Sequence, residues 1–138
     1  MMVREAGLED IPELIARAKS IHAHSVHAHI PFHDDDAAQV FGRAIALDEG
    51  CVLIGERGFF VGQLSPFHFN LSALRLVEMG WGGGDAKEII QAACEWAKER
   101  GAIEVAFGVE RTAKTAALLR LFRMTGGVPS CLSVVWRV

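Results

Sequence analysis

The six residues Gly80-Trp81-Gly82-Gly83-Gly84-Asp85 carry four glycines and end where a helical pattern begins. Glycine lets a backbone curl closely around a ligand. The amino end of a helix adds unpaired amides and the positive end of a dipole. Together these suit a pyrophosphate group. The same residues also read as a tight strand-to-helix turn with no ligand at all. Their spacing is neither the G-x-x-x-x-G-K-[ST] of a P-loop nor the G-x-G-x-x-G of a dinucleotide fold.

A second group with chemical potential is His22, His24, His27, His29 and His33, followed by Asp34-Asp35-Asp36. Imidazole beside carboxylate suits zinc, iron or nickel. The plainer reading is a loop between two helices, and no metal is expected. Cys51, Cys94 and Cys131 form an odd, widely spaced set without a C-x-x-C pair. Free thiols in a reducing compartment are the expectation, hence a cytoplasmic protein.

The elements around these groups follow from periodicity. Val3-Arg4-Glu5 can only be a short edge strand. Leu8, Ile11, Leu14, Ile15, Ala18 and Ile21 recur at helical steps, with Pro12 tolerated in the first turn. Asp34-Asp35-Asp36 supply N-cap candidates for a second helix, whose apolar face is Ala37, Val40, Phe41, Ala44 and Ile45 and which Gly50 can end. Cys51–Ile54 and Phe59–Leu64 read as a hairpin about the turn at Arg57-Gly58, and Leu74–Met79 as a further strand. Ala86, Ile89, Ile90, Ala93, Trp96 and Ala97 mark the clearest helix, closed by Arg100-Gly101. A strand over Glu104–Val109, a helix over Ala113–Met124 and an alternating last strand over Cys131–Val138 complete the order. Hairpins first and strand–helix–strand later predict an α/β (α+β) fold with a mixed sheet and helices on both faces.

The chain has 138 residues, 51% of them hydrophobic and 22% charged, with a net charge of −3. That suits one domain over residues 1–138 with a real core. No basic field exists to hold a phosphate backbone, so nucleic acid is not an expected partner. The first residues lack the apolar stretch of a signal peptide, and no apolar run is long enough for a membrane helix.

Over essentially its whole length the chain resembles the GNAT superfamily of acyl-CoA N-acyltransferases. The likeness rests on Val3-Arg4-Glu5-Ala6 with Glu9-Asp10-Ile11-Pro12-Glu13-Leu14, on 84–101 and especially 92–102, and on Leu118-Leu119-Arg120-Leu121-Phe122-Arg123-Met124-Thr125-Gly126-Gly127. Glu78-Met79-Gly80-Trp81 is similar to a subgroup common in phage and prophage chains. The resemblance implies an enzyme that transfers acetyl from acetyl-CoA to a primary amine of a small molecule or protein. The cofactor contacts it implies are Met79, Gly80, Trp81, Gly82, Gly83, Gly84, Asp85 and Thr115. Glu78 takes the position of a catalytic base, and His29, His33 and His68 are candidates for the acceptor pocket. No membrane partner is implied, and a homodimer is compatible with the family.

Two departures stand out. No Arg or Gln precedes the glycines, and Asp85 adds a negative charge where phosphate would sit, with Lys87 nearby to offset it. The Tyr that often acts as general acid in the family aligns with Phe122, and the chain contains no Tyr. The alternative function is therefore a catalytically impaired acyl-CoA-binding or regulatory module of the same fold.

Overall fold

A computed structural model describes residues 2–110, 114–131 and 134–138. The chain divides into two compact units, the first closing at Gly108 and the second beginning at Val109.

The first unit is built on a five-stranded sheet in the order β1-β2-β3-β4-β5. The strands are β1 (Arg4–Glu5), β2 (Gly50–Ile54), β3 (Phe59–Phe67), β4 (Asn70–Gly82) and β5 (Glu104–Ala106). The first four pair antiparallel and β5 joins β4 in parallel, so the sheet is mixed. Three helices cover it: α1 (Ile11–Ala23), α2 (Asp34–Ala46) and α3 (Ala86–Glu99).

Alternation along β2 and β3 divides the core. Cys51, Leu53 and Phe60 pack with Leu76 of β4 on one face, against Ile89, Ala93, Trp96 and Ala97 of α3. Val52, Ile54, Phe59 and Val61 point to the other face, against Leu14 of α1 and Phe41 and Ala44 of α2. The helices thus lie on both faces, as periodicity predicted. Burial pushes the Cys51 thiol up to about 12, so it behaves as a small apolar core group.

Ile89 is fully buried. Ile89→Val is expected to cost about 0.5–1.5 kcal/mol, the loss of one buried methyl group. Urea denaturation checks this: the midpoint should fall while the slope stays unchanged.

Polar contacts pin the edges. Trp96 Nε1 donates to Glu5 Oε1 at 2.9 Å, and the Arg100 guanidinium lies 3.9 Å from the centre of the Trp96 ring. Arg4 grips Asp10 with two bonds of 2.7 and 2.8 Å, and the Gly7 N–H donates to the same carboxylate at 2.8 Å. The Arg4 bond, helped by the Gly7 N–H, lowers the Asp10 carboxyl to about 2.

The second unit contains α4 (Thr115–Met124). Its end is closed by Gly126, at φ +91°, and by the Gly127 N–H donating to Phe122 O at 2.7 Å.

Several boundaries differ from expectation. The three Asp residues do not cap α2. His33 holds the N-cap position, and Asp34, Asp35 and Asp36 form the first turn, where their charge favours the positive end of the dipole. Gly50 opens β2 rather than ending α2, which stops at Ala46. The strand expected over Glu104–Val109 keeps only Glu104–Ala106, because β4 pairs it only there. The last strand is not found among the described residues: Cys131 and 134–138 pair with nothing, and Leu132 and Ser133 lie outside the description. Alternation makes a strand only where a neighbour supplies the ladder. Among the described residues no helix is long and apolar enough to cross a membrane.

Candidate functional site

Gly80, Trp81 and Gly82 belong to β4, opposite Val61, Phe60 and Phe59, and not to a loop as expected. A ladder uses backbone groups, so it continues through glycines when its partner strand does. The true loop is Gly83-Gly84-Asp85. These residues have φ of +87°, +123° and +56°, the left-handed region that glycine enters freely and that Asp tolerates.

Asp85 directly precedes α3, but its carboxylate does not cap the helix. Oδ2 instead accepts the N–H of Arg57 at 2.7 Å and of Gly58 at 2.9 Å, in the turn between β2 and β3. Arg17 of α1 satisfies the same turn from the other side. It donates to Gly55 O at 2.9 Å, Gly58 O at 2.8 Å and Glu56 O at 2.9 Å. Turn and loop also meet backbone to backbone. A Cβ on Gly58 would overlap Gly84 O, and one on Gly83 would come within 2.6 Å of Arg57 O. The Arg57 N–H lowers the buried Asp85 carboxyl against the opposing effect of burial, with help from the Gly58 N–H and the Arg57 and Arg17 charges.

This arrangement leaves donors open. Among the described residues, the N–H groups of Gly83, Gly84, Asp85, Ala86, Lys87 and Glu88 meet no acceptor in the protein. The helix start therefore offers a row of amides and a positive dipole end, with the Asp85 carboxylate turned away onto the β2–β3 turn and Glu88 as the acidic residue of the first helical turn.

Upstream, β4 carries a bulge. Val61 stands opposite Gly80 and Gly62 opposite Glu78, so Met79 has no opposite residue. A bulge leaves its extra residue outside the ladder and sharpens the local twist. On the other edge, β5 pairs only with Arg75–Val77 and ends at Ala106, while β4 runs on to Gly82. Beyond the paired residues, Trp81 and Glu78 approach the segment that follows β5. Trp81 Nε1 donates to Gly108 O at 2.9 Å, and its ring meets Phe107 edge-on with 5.1 Å between centres. Glu78 is half-buried, with Oε2 3.6 Å from where a Gly108 Cβ would lie.

The histidines are spread out. Ile21 of α1 packs against Gly82, so the segment after α1 starts at the glycine end of β4. His22, His27 and His33 line an open, largely apolar groove with Ile30, Phe32 and Val40, and His33 Nδ1 lies 3.3 Å from Asp36. His29 is exposed on the α1–α2 segment. His68 sits at the β3–β4 hairpin tip against Phe69. The tip pairs at Phe67 and Asn70, so it lies eight strand residues from Glu78, about 26 Å along β4. Among the described residues no three His, Cys, Asp or Glu side chains converge to hold a metal ion. In the second unit, the Thr115 hydroxyl donates to Glu110 O at 2.8 Å, and Phe122 lies within α4.

Sequence reasoning missed Arg17 and the tie between Arg57 and Asp85. The turn at Arg57-Gly58 was legible, but nothing local links it to a carboxylate 28 positions on.

No protein-family model matches the chain, and no curated protein matches it by sequence. Comparison of folds does find similar structures. An assigned acetyltransferase from Agrobacterium tumefaciens aligns with a TM-score of 0.75 at 14% identity over 100% of both chains. An assigned acetyltransferase from Clostridium acetobutylicum, solved with acetyl-CoA, gives 0.71 at 13% identity over 98% of this chain and 94% of that one. AAC(6')-Iy, solved with the bisubstrate analogue CoA-S-monomethyl-acetylneamine, gives 0.68 at 16% identity over 99% and 96%. The chain therefore has the α/β fold of the GNAT acetyltransferases, the fold that the resemblance implied.

Proposed function

We propose that the chain, acting as one domain, transfers an acetyl group from acetyl-CoA to the primary amine of a small molecule or protein. The observation that carries this reading is the open amide row from Gly83 to Glu88, with the Asp85 carboxylate drawn away onto the hairpin turn. In a fold shared with acetyltransferases, that row suits the diphosphate of coenzyme A.

The chemistry follows from this placement. The amine nitrogen attacks the thioester carbon, and the oxygen gains negative charge. Backbone amides around the bulge at Met79, Gly80 and Trp81 are the candidates to stabilise it. A lysine-like amine has a pKa of about 10.4, so only roughly one molecule in 2500 is neutral at pH 7. Glu78 is the residue assigned to take that proton. The carbon–sulfur bond then breaks, coenzyme A leaves as a thiolate, and the second proton, still on the nitrogen, passes to solvent or to the departing sulfur as the amide forms. Thiols have a pKa of about 8.5, so departure does not need a strong acid at Phe122. His29 and His33 are assigned to the acceptor side. His68 is left out of the proposal, given its distance from Glu78 along the strand.

Phe122 in place of Tyr favours a second reading, an acyl-CoA-binding regulatory module. Two measurements separate the readings. Acetyl-CoA at 100 times its dissociation constant should stabilise the protein by about 2.7 kcal/mol in thermal unfolding. Thiol release should then appear with at least one member of an amine panel. Stabilisation without turnover on any amine selects the regulatory module, and no stabilisation rejects both.

A further inference from the structure

The glycine loop has no basic side chain of its own ahead of the glycines, yet one stands over it from elsewhere in the chain. Arg57, at the β2–β3 turn, places its side chain along Gly84. A Cβ built on Gly84 would lie 3.3 Å from Arg57 Cβ, 3.4 Å from Nε and 3.6 Å from Cζ. Among the described residues the only charged partner of the guanidinium is Asp85, through Nε at 3.7 Å, which is too long for a hydrogen bond. Its outer nitrogens meet no acceptor there, and the side chain is 74% exposed. The backbone beneath it, by contrast, is fixed. The Arg57 N–H is bonded to the buried Asp85 carboxylate, and Arg17 holds the carbonyls on either side.

An exposed guanidinium on a braced backbone, beside open amides, has the geometry to grip phosphate. Its fork can give two parallel N–H bonds to a phosphate, and its charge is always present. We propose that Arg57 is the cation that holds the diphosphate of coenzyme A at this site, supplied by the β2–β3 turn in place of a basic residue in the loop. The assignment rests on the acetyl-CoA reading above and adds a residue to it. Asp85 has a positioning role here. It anchors the turn through its backbone, so the carboxylate that threatened to repel phosphate holds the phosphate-binding cation in place.

The test is the affinity of wild type, Arg57→Ala and Arg57→Lys for three probes, measured by calorimetry. The probes are acetyl-CoA, its 3′-dephospho form and S-acetylpantetheine, which has no phosphate. Arg57→Ala should weaken the first two by about tenfold each, the scale of one charge-assisted phosphate contact, and leave the third unchanged. Arg57→Lys should fall between, since it keeps the charge but loses the fork. Ligand-free melting should move little, because only an exposed side chain and its weak attraction to Asp85 are removed while the backbone N–H on Asp85 remains. If Arg57→Ala binds acetyl-CoA as wild type does, the assignment fails and the acetyl-CoA reading survives. If only the 3′-phosphorylated probe is weakened, Arg57 reads the 3′-phosphate and the diphosphate assignment is wrong. If wild-type protein binds neither CoA probe, the underlying reading fails and takes the assignment with it.

Discussion

Asp85→Ala should destabilise the protein by about 3 kcal/mol, and Asp85→Asn by about 1 kcal/mol. The carboxylate is 4% exposed and accepts two backbone N–H bonds, from Arg57 and Gly58. Removing it leaves buried donors unsatisfied, at about 1–3 kcal/mol for each group that water cannot reach. Alanine also strains the left-handed backbone at φ +56°, by about 1 kcal/mol relative to glycine. Asp85→Gly should therefore be milder than Asp85→Ala by that amount. Asparagine keeps one acceptor oxygen and tolerates the left-handed region, and loses only the charge.

The pH dependence has a definite sign. The Asp85 carboxyl is lowered in the folded protein. A group lowered on folding contributes stability in full above its unfolded value, about 3.9, and loses it as pH falls through the folded value. Asp10, held at about 2 mainly by Arg4, behaves in the same way. Wild-type protein should thus lose stability from about pH 4 downward toward about pH 2. The gap between wild type and Asp85→Asn should narrow as pH falls below about 3.9, because a protonated Asp resembles Asn. Urea midpoints from pH 7 to pH 2.5 measure it. A gap that stays constant would mean that the Asp85 charge does not hold the turn.

How far these features were legible depends on the range of the force that sets them. Burial is read locally. The alternation of Cys51, Leu53 and Phe60 with Val52, Phe59 and Val61 assigned each side chain to a sheet face, and α3 showed its apolar stripe plainly. Polar satisfaction is not local. Asp85 precedes a helix, and composition alone makes it a cap. Two N–H groups in a hairpin 27 and 28 positions away compete for the same carboxylate and win it, because they would otherwise be buried without acceptors. The same limit explains Gly80–Gly82, which look like a loop by composition but complete a ladder set by β3. It also explains 134–138, which alternate correctly and join no ladder among the described residues. The candidate chemistry was visible as residue types, at Glu78 and the glycines. What made the site open, the removal of a carboxylate and the arrival of Arg57, came from contacts that no spacing encodes.

Glu78→Gln should lower kcat by about 100-fold with a lysine-like acceptor, at the lower end of the 10²–10⁴ typical for a lost general base. That corresponds to about 2.7 kcal/mol of transition-state stabilisation. The geometry motivates the choice. Glu78 lies on β4 immediately before the bulged Met79, one residue past the last pair with β5, and its side chain is half-buried near Gly108. Glutamine matches the shape and accepts hydrogen bonds, but it does not take up a proton at neutral pH. If Glu78 removes the proton that keeps the amine unreactive, the deficit must depend on the amine. It should be large for an acceptor of pKa about 10 and shrink toward unity for one of pKa about 6, which is already neutral at pH 7. A purely structural role would lower both rates alike. Acetyl-CoA affinity should stay within about twofold, since the amides and Arg57 are untouched and a base contributes to the transition state rather than to donor binding. Steady-state rates across an acceptor series, with donor affinity measured in parallel, decide it. Equal rates for wild type and Glu78→Gln on the pKa 10 acceptor would remove Glu78 from the mechanism and leave proton removal to solvent.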